Sequence, residues 1–220
     1  MILPRHPRRK LAAFTVAAAL AAAACAAEPA APAGGYPAGC PTTAPASLGD
    51  ETATVTLSTE VGDIVIEVRG ALAPNATGNF IALAECGAYD GVVFHRLVPG
   101  FVIQGGDVEH GRAPDVDPDL VGTGGPPYRI LDDPVTTPYG RGTVAMARTP
   151  EPNSQGSQFF IVLDDTARGS LEAANTYAIL GTVTAGMEVV DAIAAMPNSG
   201  PPANEALEPV AITRASVARP

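Results

Sequence analysis

The stretch Phe94-His95-Arg96-Leu97-Val98-Pro99-Gly100-Phe101-Val102-Ile103-Gln104-Gly105-Gly106-Asp107 decides how this chain is read. Val92–Phe94 and Phe101–Gln104 read as short strands, and Pro99-Gly100 and Gly105-Gly106 interrupt them as turns. Neighbouring side chains on a strand point to opposite faces, so His95 and Arg96 diverge, and His95 reads as structural. A second stretch, Gly142-Thr143-Val144-Ala145-Met146-Ala147-Arg148, leads to Pro152-Asn153-Ser154-Gln155-Gly156-Ser157-Gln158-Phe159-Phe160. It too reads as strand, loop, strand. By residue type alone, Phe101, Val102 and Phe160 suit an ordinary core and Arg96 a surface ion pair.

Working outward, Val55, Leu57, Val61, Ile64, Ile66 and Val68 alternate around Thr59–Asp63, which predicts a β-hairpin. Pro74-Asn75-Ala76-Thr77 opens a helix whose Phe80, Leu83, Ala84 and Gly87 share one face, with Gly87 as its stop. Tyr128–Leu131, Thr143–Ala147, Gln158–Leu163 and Tyr177–Val183 are further strand pieces. Met187–Ala195 is a second helix and Val210–Val217 a closing strand. Many short strands with few helices predict a mainly β antiparallel barrel or sandwich.

Most familiar chemistries lack their parts. No Gly-x-Ser-x-Gly elbow is present, and beyond His6 the only histidines are His95 and His110. Asp115, Asp117 and Asp119 alternate as in a calcium loop, but Leu120 and Pro126 stand where glycine and glutamate belong. No metal is expected there. Gly122-Thr123-Gly124-Gly125 lacks the Lys-Ser/Thr of a phosphate loop and reads as a turn.

The two quoted stretches closely resemble the signature segments of cyclophilins, the barrel-type peptidyl-prolyl cis-trans isomerases. The similarity runs through residues 53–217 and includes the hairpin, the Asn79-Phe80 helix, the Gly122–Gly125 turn and the Gly186-Met187-Glu188-Val189-Val190 return. It implies a closed eight-stranded antiparallel β-barrel capped by two α-helices, with a proline-binding groove on its outer face. It implies Arg96 and Gln104 as the catalytic residues, with the arginine as the hydrogen-bond donor and Gln104 holding it in place. Phe101, Val102, Ala147 and Phe160 match groove positions. Leu171 replaces part of the apolar wall, in a chain that has no tryptophan for the rim. Tyr177 falls where familiar members carry a histidine. The implied activity is Xaa-Pro isomerisation that assists folding, without cofactor or metal, on proline-containing polypeptides, by a monomer. The alternatives are a proline-segment binding module with little catalysis, or an envelope scaffold.

The ends of the chain carry a different message. Arg5, Arg8, Arg9 and Lys10 precede an apolar run, Leu11–Ala24, that is too short to span a bilayer as a helix. Residues 1–25 therefore read as an export signal. Ala22-Ala23-Ala24-Cys25 resembles a lipoprotein box with Cys25 as the lipidated residue; ordinary cleavage among the alanines is the alternative. Sec and twin-arginine export both remain open. Residues 26–50, rich in Ala, Pro and Gly, are expected to form a disordered tether, and 51–218 the domain. This predicts an extracytoplasmic, membrane-anchored protein, or a secreted one. Cys40 and Cys86 are compatible with a disulfide without requiring one.

The charge follows the same division. The chain has a formal charge of −10. Beyond residue 24 there are 9 basic residues, all arginine, against 23 acidic ones, so this part carries −14. That sign disfavours nucleic acid, and the missing lysine removes Schiff-base chemistry.

Overall fold

The computed structural model describes residues 35–220. Eight strands form one antiparallel sheet: β1 (Thr52–Thr59), β2 (Gly62–Arg69), β3 (Phe94–Val98), β4 (Val102–Gly105), β5 (Thr143–Met146), β6 (Phe159–Val162), β7 (Ile179–Ala185) and β8 (Ile212–Ala218). Their order across the sheet is β3-β4-β6-β5-β7-β2-β1-β8. The helices are α1 (Pro74–Glu85), α2 (Arg168–Ala174) and α3 (Met187–Ala194), with a 3-10 turn over Asp165–Ala167.

The hairpin β1–β2 follows its alternation. Val55, Leu57, Ile64, Ile66 and Val68 are fully buried. Its turn is held by Thr59, whose Oγ1 accepts from Val61 N and Gly62 N, both at 3.1 Å. Helix α1 begins at Pro74, where a missing N–H costs nothing. No neighbouring side chain caps it. Asp133 does so from a distant loop, accepting from Ala76 N at 2.8 Å and Asn75 N at 3.3 Å. It ends as expected at Gly87, with φ of +76°, where Gly87 N donates to Ala84 O and Ala88 N to Leu83 O. Phe80, Tyr89, Phe94 and Phe159 meet inside the curled sheet, with ring centroids 5.2 to 6.0 Å apart.

Four expectations change. The sheet is curled and open, not closed by a continuous ladder. The flanks of β3 and β8 meet through an isolated Val93–Ala211 bridge and a few bonds such as Ile212 N to Val92 O, 2.8 Å. Residues at these ends bend to pack and leave the common register. Among the described residues there are three α-helices, not two; α2 is too short for its periodicity to be visible. Tyr128–Leu131 is not a strand, because only Ile130 bridges, to Gln155, while Tyr128 turns inward to donate to Asn79 Oδ1 at 2.8 Å.

The fourth concerns the segment expected as a tether. From Tyr36 onward it lies against the domain. Cys40 is buried and joined to Cys86 by a disulfide. Leu48 N donates to Pro74 O at 3.0 Å. The chain crosses α1 at Gly78, where a Cβ would stand 2.5 Å from Ala46 O. A covalent link and a close backbone crossing hold a segment that has no core of its own. The expected signal and its Cys25 lie outside the described residues.

The disulfide closes a loop with a sequence separation of 46 residues. Loops of that order gain about 2–4 kcal/mol from a cross-link. Reductant is expected to lower the unfolding midpoint of the protein in a calorimetric scan. The same reductant should leave a Cys40→Ser/Cys86→Ser chain unmoved.

Candidate functional site

The site is a consequence of strand register. In β3–β4 Arg96 stands opposite Gln104, in β4–β6 Gln104 opposite Phe160, and in β6–β5 Phe160 opposite Ala145. Side chains in such a cross-strand row share one face of the sheet. The next row pairs Val98 with Val102 and Val102 with Val162. The alternate residues, Leu97, Ile103, Ile161 and Val144, point into the main core. Val102, Ala145, Phe160 and Val162 instead form a second apolar cluster on the outer face, with Tyr139, Ala167, Leu171 and Ile179.

The 3-10 turn and α2 wall this cluster. Asp164 starts the turn by accepting from Thr166 N at 2.9 Å. Ala167 and Leu171, four apart, are both buried on the same side. Tyr139, fully buried, donates from its hydroxyl to Tyr177 O at 2.9 Å and accepts from Tyr177 N at 3.2 Å. Burial pushes the Tyr139 hydroxyl up to about 12, so it stays a donor. Tyr177 is thereby held edge-on to Phe160, with centroids 5.4 Å apart.

A cavity of about 210 Å³ opens on this face. Arg96, Phe101, Val102, Gln104, Ala147, Phe160, Leu171 and Tyr177, the residues singled out in the sequence, all line it. Arg148 lines it as well. Its guanidinium is spent on its own loop: it pairs with Asp132 at 2.8 Å and donates to Glu151 O at 2.8 Å. Arg96 differs. Its Nε donates to Ala203 O at 3.2 Å and its Nη1 to Gln104 Oε1 at 3.4 Å. Among the described residues it has no carboxylate partner. It is a cation positioned by neutral groups, with Nη2 left over for a ligand.

Two supporting residues were not visible as such in the sequence. Gln158 accepts from Gln104 Nε2 at 3.0 Å and donates to Gly124 O at 2.9 Å, so it fixes which end of the Gln104 amide faces Arg96. Ala203 contributes only a carbonyl, and a backbone acceptor leaves no mark in residue type. A smaller cavity of about 100 Å³ adjoins the first, sharing Gln104, Ala147 and Arg148.

His95 neighbours Arg96 but does not enter the cavity. Burial holds its imidazole down, to about 4. Asp107 pulls the other way, Arg96 adds to the lowering, and the Val93 carbonyl opposes it weakly.

The chain matches the family model described as cyclophilin type peptidyl-prolyl cis-trans isomerase/CLD over residues 54–217. It is 43% identical over 150 residues to a probable peptidyl-prolyl cis-trans isomerase of Brucella abortus, covering 67% of this chain and 74% of that one. It is 35% identical over 179 residues to peptidyl-prolyl cis-trans isomerase A of Dickeya dadantii, covering 79% and 89%. A solved cyclophilin type isomerase of Cryptosporidium parvum superposes with a TM-score of 0.62 at 28% identity, over 76% of this chain and 99% of that one. That structure was determined in the presence of the dipeptide Ala-Pro.

The unfolded state carries His95 at its ordinary value near 6.5, and the folded state at about 4. Between these values the unfolded chain binds the extra proton, so stability falls as pH drops from about 6.5 to about 4. The total loss is about 3 kcal/mol. Urea unfolding across that window should reveal this slope, and a His95→Leu chain should lack that part of it.

Proposed function

The chain belongs to the cyclophilin-type peptidyl-prolyl cis-trans isomerases, and we propose from this premise that its outer groove isomerises Xaa-Pro bonds in exported polypeptides. It is an isomerase of that family; the clients, the compartment and the roles of single residues are our reading. The observation that carries it is the juxtaposition of a carboxylate-free Arg96 with an apolar floor of Phe101, Val102 and Phe160 in one cavity.

The chemistry asks for little more. An Xaa-Pro amide is held planar by resonance, with a barrier of about 18–20 kcal/mol. When the bond twists, the nitrogen lone pair leaves conjugation and becomes a better hydrogen-bond acceptor. A guanidinium that donates to that nitrogen, or to the proline carbonyl, binds the twisted form more tightly than the planar one, which lowers the barrier. Arginine fits because it stays charged and presents its donors in a rigid fork. Gln104, oriented by Gln158, holds Nη1 and leaves Nη2 toward the cavity. The proline ring lies on Phe101, Val102 and Phe160, where exclusion of water strengthens the field of Arg96. No nucleophile or titrating base takes part.

Export is supported by the basic stretch and apolar run at residues 5–24 and by the small residues before Cys25. The Cys40–Cys86 disulfide adds independent support, since such bonds persist in oxidising compartments. On this reading Cys25 carries a lipid, the residues after it form the tether, and Tyr36–Asp50 is the base of that tether, stapled to the domain. The soluble part acts as a monomer.

Arg96→Ala is expected to lower kcat/KM for a proline-containing tetrapeptide by about a hundred- to a thousand-fold, the effect of one preorganised donor. A protease-coupled isomerisation assay measures this. If wild type and variant both run at the uncatalysed rate, the groove only binds proline segments. Cys25→Ser is expected to move the protein from the membrane to the soluble fraction on centrifugation; an unchanged distribution rejects the anchor.

A further inference from the structure

The pairing of β3 with β4 is irregular at one point. Phe94 faces Gly105 and Arg96 faces Gln104, so two steps on β3 match one on β4. His95 is the extra residue of this bulge and is re-aimed by it. It is one wall of a cavity of about 310 Å³ that shares no residue with the proline groove. His95 is 7% exposed, and its two ring nitrogens, both shielded from solvent, make no hydrogen bond of good geometry among the described residues. Gly122 backs onto the ring edge, where a Cβ would stand 3.4 Å from Nε2.

The walls of the cavity are apolar. Val93, Pro118, Val121, Leu207 and Pro209 supply most of them. Leu207 is 62% exposed, and Leu120, on the adjoining loop, 45%. The rim is acidic. Asp115, Asp117 and Asp119 lie on the loop that contributes Pro118, while Glu205 and Glu208 flank Leu207. Residues 113–121 and 205–209 contain no arginine, lysine or histidine. An apolar slot ringed by carboxylates attracts cationic partners and repels phosphate-bearing ones, both nucleic acids and anionic lipid surfaces.

We propose that this cavity is a second polypeptide-docking site, separate from the proline groove, which takes an apolar side chain from a segment rich in lysine and arginine. The apolar side chain fills the slot between Val121 and Leu207. The flanking cations meet Glu205, Glu208 and the three aspartates. Because Arg96 and His95 are consecutive on β3, one strand serves both sites. A basic segment held behind β3 lies close to the groove without competing for it.

The probe is the proline-free peptide acetyl-Lys-Lys-Leu-Leu-Lys-Lys-amide, titrated into the isotopically labelled protein and followed by NMR. Saturable shifts are expected at Val93, His95, Val121 and Leu207, and none at Phe101 or Phe160. Leu207→Asp fills the mouth with another carboxylate at an exposed position that tolerates it, and should weaken binding about tenfold or more. The surface pair Glu205→Gln/Glu208→Gln should weaken it and reduce its salt dependence. Arg96→Ala should leave it unchanged. Three results would each overturn the proposal: no saturation at millimolar peptide, shifts confined to the proline groove, or equal binding of a peptide with glutamate in place of lysine.

Discussion

The antiparallel register across β3, β4, β6 and β5 is the constraint on which the rest depends. It puts Arg96, Gln104, Phe160 and Ala145 in one row on the outer face. The intervening residues, from Leu97 to Val144, go into the core. Because side chains on a strand alternate, a slip of one residue in any of these pairings would exchange groove and core. The buried aromatic group around Phe159 makes such a slip costly: Phe159 packs against three other rings, and its neighbour Phe160 then has no choice but the outer face. Packing inside the sheet thus positions the chemistry outside it.

Charge is arranged with equal economy. In a domain whose only strong bases are arginines, most guanidiniums near the groove are committed. Arg148 is tied to Asp132 and to its own loop, and Arg129 donates to Pro126 O and Tyr128 O. Arg96 alone among the groove-lining residues pairs a neutral support with a free donor edge. A carboxylate partner would have lowered its field toward a ligand, and a fully unsupported arginine would have lost orientation. The amide of Gln104, fixed by Gln158, avoids both. On the other side of the same strand, His95 is kept neutral by burial, so the positive charge beside the groove belongs to Arg96 and not to its neighbour.

Much of this was legible beforehand. The alternation of Val55, Leu57, Ile64 and Ile66 predicted the hairpin, and Phe80, Leu83, Ala84 and Gly87 predicted α1 with its end, because both patterns are local. Arg96, Phe101, Val102, Gln104, Ala147 and Phe160 were nameable through the family resemblance of two long, ordered segments; Leu171 and Tyr177 lie outside those segments. What failed was non-local. Ile130 makes a single bridge where a strand was expected, since Tyr128, two residues before it, is drawn to Asn79. Helix α2 is only two turns long and is defined by what it covers. The segment Tyr36–Asp50 has the composition of a disordered linker, yet a bond to Cys86 and the absence of a side chain at Gly78 hold it down.

Which residues are available is a matter of sequence: one lysine-free acidic domain, its strand and helix periods, an arginine beside apolar side chains and, beyond Cys25, two cysteines with no stated pairing. Those properties are read from neighbours along the chain. Tertiary structure decided what each residue faces. It joined Cys40 to Cys86, left the sheet curled but unclosed, gave Arg96 an amide instead of a carboxylate, and set a bulge at His95, beside a second cavity. These outcomes depend on register and on contacts between residues far apart in sequence, and local periodicity carries no information about either.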